Sequence, residues 1–168
     1  MTQDDRHQPH RATNSLMLNQ VGQPSPDTVL AAVLTLTDNT TPTQIAAIPE
    51  WGDAASTWRV VGCTDRVLFE VTAHKAVRDW YGGGLRATSG DEESLTARAV
   101  PLSSVTGVAF ELSEVWRSDV GDPGLTLHGT WRIACGTGVD LELPTYASNH
   151  LTRQALASIA QTALAAVT

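Results

Sequence analysis

Asp140 and Glu142 stand two positions apart in an alternating apolar segment, a spacing that sets both carboxylates on one face of a strand and could serve general acid–base chemistry. The same pattern has a simpler use. With a tight turn at Gly136-Thr137-Gly138, Glu142 falls opposite Arg132, and a cross-strand ion pair accounts for the charge. No complementary acid or base stands beside them, so no catalytic residue is assigned. His74, His128 and His150 are far apart, without a second ligand at helical or hairpin spacing, and His7 and His10 lie near Asp4 and Asp5 in a polar segment that offers a metal no fixed geometry. No metal or cofactor is expected. Gly82-Gly83-Gly84 is not followed by the Lys-Ser or Lys-Thr pair of a phosphate loop, and no Gly-x-Ser-x-Gly elbow occurs. Cys63 and Cys135, far apart in a chain that does not open on a secretion signal, read as two buried thiols rather than a disulfide.

The tryptophans carry more information. Trp58 and Trp131 fall on the inward faces of alternating segments and belong to the core. Trp80-Tyr81 and Trp116-Arg117 adjoin segments that read as loops, and aromatics beside arginine are enriched in protein interfaces. Trp80, Tyr81, Trp116 and Arg117 are therefore the candidate binding residues. The competing reading is that an aromatic beside a loop plugs the end of a small barrel.

These residues need elements to position them. Residues 1–26 are polar, with Leu16, Met17, Leu18 and Val21 as a weak apolar patch, and read as a flexible N-terminal arm. The rest, 27–168, reads as one domain. Its first part, 27–50, is a short helical segment: a cap at Ser25 precedes a helix through Leu34, and Thr43 to Ile48 adds a further turn. From Trp58 the period becomes two. Trp58 to Cys63 and Arg66 to Thr72 form a hairpin about Thr64-Asp65, a polar loop runs from Gly82 to Glu93, and Ser94 to Pro101 is the next strand. Val105 to Trp116 follows, with a bulge expected near Val115-Trp116. Leu125 to Cys135 and Val139 to Leu143 form a hairpin with one wet and one dry face. Ser148 or Asn149 caps a last helix from His150 to Val167, on which Leu151, Ala155, Ile159, Ala163 and Val167 make an apolar stripe. The fold class is α+β, mainly β: an antiparallel open barrel or curved sheet capped by a C-terminal amphipathic helix.

Composition narrows the partners. The 168 residues carry a net charge of −7 with one lysine and ten scattered arginines. Without a basic cluster, neither nucleic acid nor an anionic membrane surface is a fitting partner. No apolar run reaches the roughly 20 residues of a membrane span. The polar start lacks the basic-then-apolar order of a secretory signal, so the expected location is cytoplasmic.

From Trp58 onward the order of elements resembles the bacterial pleckstrin-homology-like domain. Thr64-Asp65-Arg66-Val67-Leu68-Phe69 is similar to the "T-D-x-R-L" opening of that family's second strand. Val100-Pro101-Leu102-Ser103-Ser104-Val105-Thr106-Gly107-Val108 is similar to its "x-P-L-x-x-I-x-x-V" step between middle strands. The resemblance covers about two thirds of the chain and implies a meander of antiparallel strands closed by the last helix. Phosphoinositide-binding relatives use basic residues between the first two strands, where this chain has Asp65 and one arginine, which argues against that ligand. The expected role is a non-enzymatic module that binds a protein or peptide, a second copy of itself included, at a strand edge or at the loops 75–93 and 113–124. The alternative is a START-like helix-grip carrier or enzyme. It would have Ser15 to Val21 as a strand and an apolar small molecule between sheet and helix.

Overall fold

The computed structural model describes residues 8–77, 80, 93–118, 124–136, 138, 140–145 and 149–167. Two helices, α1 (Gln8–Val21) and α2 (Asp27–Leu36), precede β1 (Gln44–Trp51), β2 (Ser56–Cys63), β3 (Val67–Lys75) and β4 (Glu93–Pro101). A single 3-10 turn at Leu102–Ser104 leads into β5 (Val105–Ser118), β6 (Gly124–Cys135), β7 (Leu141–Pro144) and α3 (His150–Ala165). The strands form two antiparallel sheets in sequence order, β1-β2-β3-β4 and β5-β6-β7, which do not close into a barrel. The fold is mainly β with a C-terminal helix, as the alternation requires.

Strands β1 to β3 of the first sheet are largely buried on both faces. Ile45, Ala47, Trp58, Val60, Phe69, Val71 and Ala73 pack under α1 and α2 with Met17, Val29, Leu30 and Val33. Ala46, Ile48, Val61, Cys63, Leu68 and Val100 pack on the other side against the second sheet and α3. This explains where the sequence reading of β1 fails. Ile45, Ala46, Ala47 and Ile48 are all buried, and a strand buried on both faces shows a continuous apolar run that periodicity alone cannot separate from a helical turn.

The polar N-terminal segment is likewise an ordered helix from Gln8, not an arm, because burying Met17 and Thr13 fixes it to the domain. Gly22, at φ +75, ends α1 with its N–H on the Leu18 carbonyl at 2.7 Å. Ser15 to Val21 is thus helical, and the strand that the START-like alternative needs is not there. Ser25 does not cap α2. Its hydroxyl donates to Asn14 Oδ1 at 3.1 Å and ties the two helices together, leaving Pro26 at the cap position.

In the second sheet, β5 and β6 extend to Ser118 and from Gly124, so most of the expected 113–124 loop is hairpin. The register shifts at Val105/Gly107 and at Leu112/Glu114, earlier than the expected bulge. The second shift keeps Val115, opposite Leu127, on the face that carries Val108, Phe110 and Leu112. Asn149 caps α3, accepting from the Thr152 N–H at 3.0 Å. The buried stripe is Thr152, Ala155, Leu156, Ile159, Ala160 and Ala163, with Leu151 left 49% exposed. Leu156 and Ile159, fully buried, contribute about 1.5–3 kcal/mol each. The alanines let the helix lie close on the sheet, where a helix-grip fold would hold its ligand.

Candidate functional site

The side chains first singled out for chemistry are structural. Arg132 and Glu142 face one another in register, with Nε and Oε1 3.5 Å apart, and Arg132 also pairs with Glu111 at 3.2 Å. Asp140 Oδ1 accepts from the Cys135 N–H at 3.2 Å, which braces the turn before β7. Both cysteines are free and buried. Burial pushes the Cys63 and Cys135 thiols above their ordinary value, opposite to the shift an activated nucleophile needs. Among the described residues no group of three or more His, Cys, Asp or Glu side chains could hold a metal ion.

Of the four candidate binding residues, Trp80 is placed as a plug. Its carbonyl accepts from Trp58 Nε1 at 2.7 Å, its N–H donates to Ser56 Oγ at 3.2 Å, and the side chain packs into the core beneath α1 and α2. Lys75, the chain's one lysine, lies 5.6 Å over the Trp80 ring and 3.9 Å from Glu93. Trp116 and Arg117 lie on the backbone of β5, opposite Thr126 and Leu125. Their side chains, Tyr81 and the Gly82 to Glu92 segment lie outside the described residues.

A further asymmetry is in the first sheet, which has two outer strands, β1 and β4. At β1 the free edge is closed by α1: Gln20 Oε1 accepts from the Ala47 N–H at 3.0 Å, and Gln20 Nε2 donates to the Ile45 carbonyl. One carboxamide thus stands in for the peptide group of an added strand. Asn149 Nδ2 donates to the Gln20 carbonyl, and Thr152 Oγ1 donates to Gln20 Oε1 at 3.4 Å, so α3 holds the latch in place. Two residues past Ala47 the outward-facing position is Pro49, which has no N–H to offer.

At β4 neither device exists among the described residues. Ser94, Leu95, Thr96, Ala97 and Ala99 are exposed, with Leu95 at 42%. Leu95, Ala97 and Ala99 pair with Ala73, Val71 and Phe69, so they share the face toward α2. Their β3 partners are fully buried, whereas they are not. On the opposite face Arg98 reaches Glu70 at 2.6 Å, and Arg59 reaches the same carboxylate at 2.7 Å. Arg59 also donates to the Glu142 carbonyl, and Arg98 to that of Asp140 at 3.1 Å. This row ties β4 to the second sheet, so that strand is held firm while its outer edge has no partner strand among the described residues.

A second exposed apolar feature is the far half of the β5-β6 hairpin. Phe110 stacks on Trp131 at 4.7 Å, and beyond them Leu112, Val115 and Leu127 are 55, 49 and 51% exposed. The sequence reading placed this whole face in the dry interior. The signal that it is not is length, since β5 and β6 run on well past the end of their sheet's third strand, the four-residue β7.

Comparison with protein-family models, curated proteins and solved structures finds no match to the chain.

Proposed function

We propose that this chain is a non-enzymatic binding module of pleckstrin-homology-like build that takes an extended protein segment along the outer edge of β4. The observation that carries this reading is the contrast between the two edges of one sheet. An unpaired strand edge presents a row of N–H and C=O groups that templates another strand, and proteins ordinarily blunt it. Here β1 is blunted twice, by Gln20 and Pro49, while β4 keeps six residues in regular register with β3 before Ala99 and leaves five of their side chains open. Main-chain pairing would supply affinity, and the small apolar row Leu95, Ala97 and Ala99 would supply selectivity.

The meander in sequence order, split four and three and followed by a helix, supports the family-like build. Two buried free thiols support a reducing, cytoplasmic setting. Packing of α3 directly on the sheets favours an interaction module over a carrier.

The test is selection of extended peptides from a displayed library, followed by binding to two adjacent proline variants, Thr96→Pro and Ala97→Pro. In a strand, successive N–H groups point to opposite edges. One variant removes an outward N–H and should lose peptide binding with little change in melting temperature. The other removes a ladder N–H and should cost about 3 kcal/mol, roughly 6–12 °C. Unchanged binding in both, or a co-purified apolar small molecule at one per chain, would overturn the reading.

A further inference from the structure

We propose that the segment received by β4 is the β4 strand of a second copy of this chain, which joins two four-stranded sheets into one across a two-fold axis at Thr96. This deepens the β4-edge reading and rests on it. In an antiparallel pair that shares faces, residues of like parity meet, so a two-fold axis at Thr96 sets Thr96 against the second copy's Thr96. Leu95 then meets the second copy's Ala97, Ser94 its Arg98, and Glu93 its Ala99. Each of these pairs is compatible. Leu against Ala matches large with small on the apolar face toward α2, and a Thr–Thr pair can exchange a hydrogen bond on the other.

Charge disfavours the register with the axis at Ala97, and side-chain size and overlap the one at Leu95. With the axis at Thr96, the two Arg98 side chains are four residues apart along the ladder, about 14 Å, and the two Glu93 side chains about 20 Å, both beyond a Debye length of about 8 Å. Moving the axis to Ala97 brings Arg98 opposite the second copy's Thr96, so the two guanidinium groups are only about 7 Å apart along the strand. Moving it to Leu95 sets the two bulkiest side chains of the row against each other and leaves Ala99 outside the pairing. Glu70 holds Arg98 on its own subunit, but that carboxylate is shared with Arg59, so the row keeps a net positive charge when the copies meet.

The experiment is sedimentation equilibrium of the full chain, with cysteine cross-linking of Thr96→Cys and Ser94→Cys under mild oxidation. At the axis the paired Cα atoms would lie about 4.5–5.5 Å apart, within disulfide reach, whereas two Ser94→Cys sites would lie about 14 Å apart, outside it. The native cysteines are 0 and 5% exposed and leave the background low. The expected result is a species of twice the chain mass that dissociates on dilution, and covalent dimer from Thr96→Cys only. A monomer at every concentration overturns the proposal, as does a dimer in which Thr96→Cys cross-links no better than Ser94→Cys. The library peptides separate the two failures. A monomer that binds peptides in a proline-sensitive way keeps the open edge and loses the second copy, and a monomer that binds none loses both.

Discussion

β1 and β4 are the outer strands of the same sheet, and they are treated in opposite ways. The β1 edge is met by a carboxamide from α1 that satisfies one N–H and one C=O, then by a proline that lacks a donor. The β4 edge has regular pairing inward and mostly exposed side chains on both faces of the strand. Leaving an edge open invites pairing, and the proposed pairing at β4 rests on this contrast between a guarded β1 edge and a β4 edge that no strand covers among the described residues. The difference also teaches that two helices take part in closing the β1 edge. Gln20 belongs to α1, and α3 positions it through Asn149 and Thr152.

The sharpest way to break the comparison is to loosen β4 from within. Glu70 is shared by Arg59 and Arg98, and its side chain is 12% exposed, while the arginines are 26 and 40% exposed. Glu70→Ala leaves two cations at the seam between the sheets. The expected loss is about 2–3 kcal/mol, below the figure for a fully buried pair because both arginines reach solvent. Hydrogen exchange should show β4 and β7 losing protection first while β1 keeps its own. Equal loss across the sheet would mean that the charged row does not hold β4 specifically.

Gly62→Ala strikes the other side. A Cβ there would stand 2.4 Å from the Phe69 ring and 2.7 Å from the Gln44 carbonyl, so Phe69 must move and the β1-β2 pair must part. The expected cost is about 1–3 kcal/mol, read as a drop of roughly 2–12 °C in Tm, with β4 pairing retained. Unchanged stability would mean that both Phe69 and the Gln44 backbone yield at little cost and that the close approach of β1 and β2 is not needed.

Replacing Gln20 by Ala and Pro49 by Val converts β1 into a second bare edge. The direct cost is about 1–2 kcal/mol, since the freed Ala47 N–H and Ile45 carbonyl lose a partner. The larger consequence is association: a chain with two open edges can propagate, so sedimentation should show species beyond a dimer. Unchanged assembly would mean that Gln20 and Pro49 do not guard the edge.

How much of this was legible in the sequence follows from how many faces each strand buries. The β2-β3 hairpin and strands β4 to β7 were readable from alternation and turn residues, and α3 from its stripe and its Asn149 cap. β1 was not, because its buried run Ile45 to Ile48 lacks a period. α1 was hidden for the opposite reason: a polar helix whose docking rests on Met17 and Thr13 has too few apolar positions to show one. The open edge could not be seen at all without them, since the contrast depends on Gln20 reaching a strand far along the chain. Trp80 and Trp116 drew notice by residue type, whereas the exposed row on β4 is made of Leu, Ala and Thr, which advertise nothing singly.

The mildest change separates edge from core most cleanly. Leu95 is 42% exposed and pairs with Ala73 of β3, so Leu95→Thr keeps strand propensity and removes only surface apolar area. Stability should stay within about 0.5 kcal/mol. If β4 meets its own copy about Thr96, the two symmetry-related Leu–Ala pairs are lost together. A loss of about 0.5 kcal/mol at each would weaken dimerisation by a factor of roughly 5. Leu112→Thr, at the equally exposed hairpin face, is the matched control and should leave the dimer unchanged. The reverse outcome, with Leu112 sensitive and Leu95 silent, would move the interface from the edge of the first sheet to the naked face of the second.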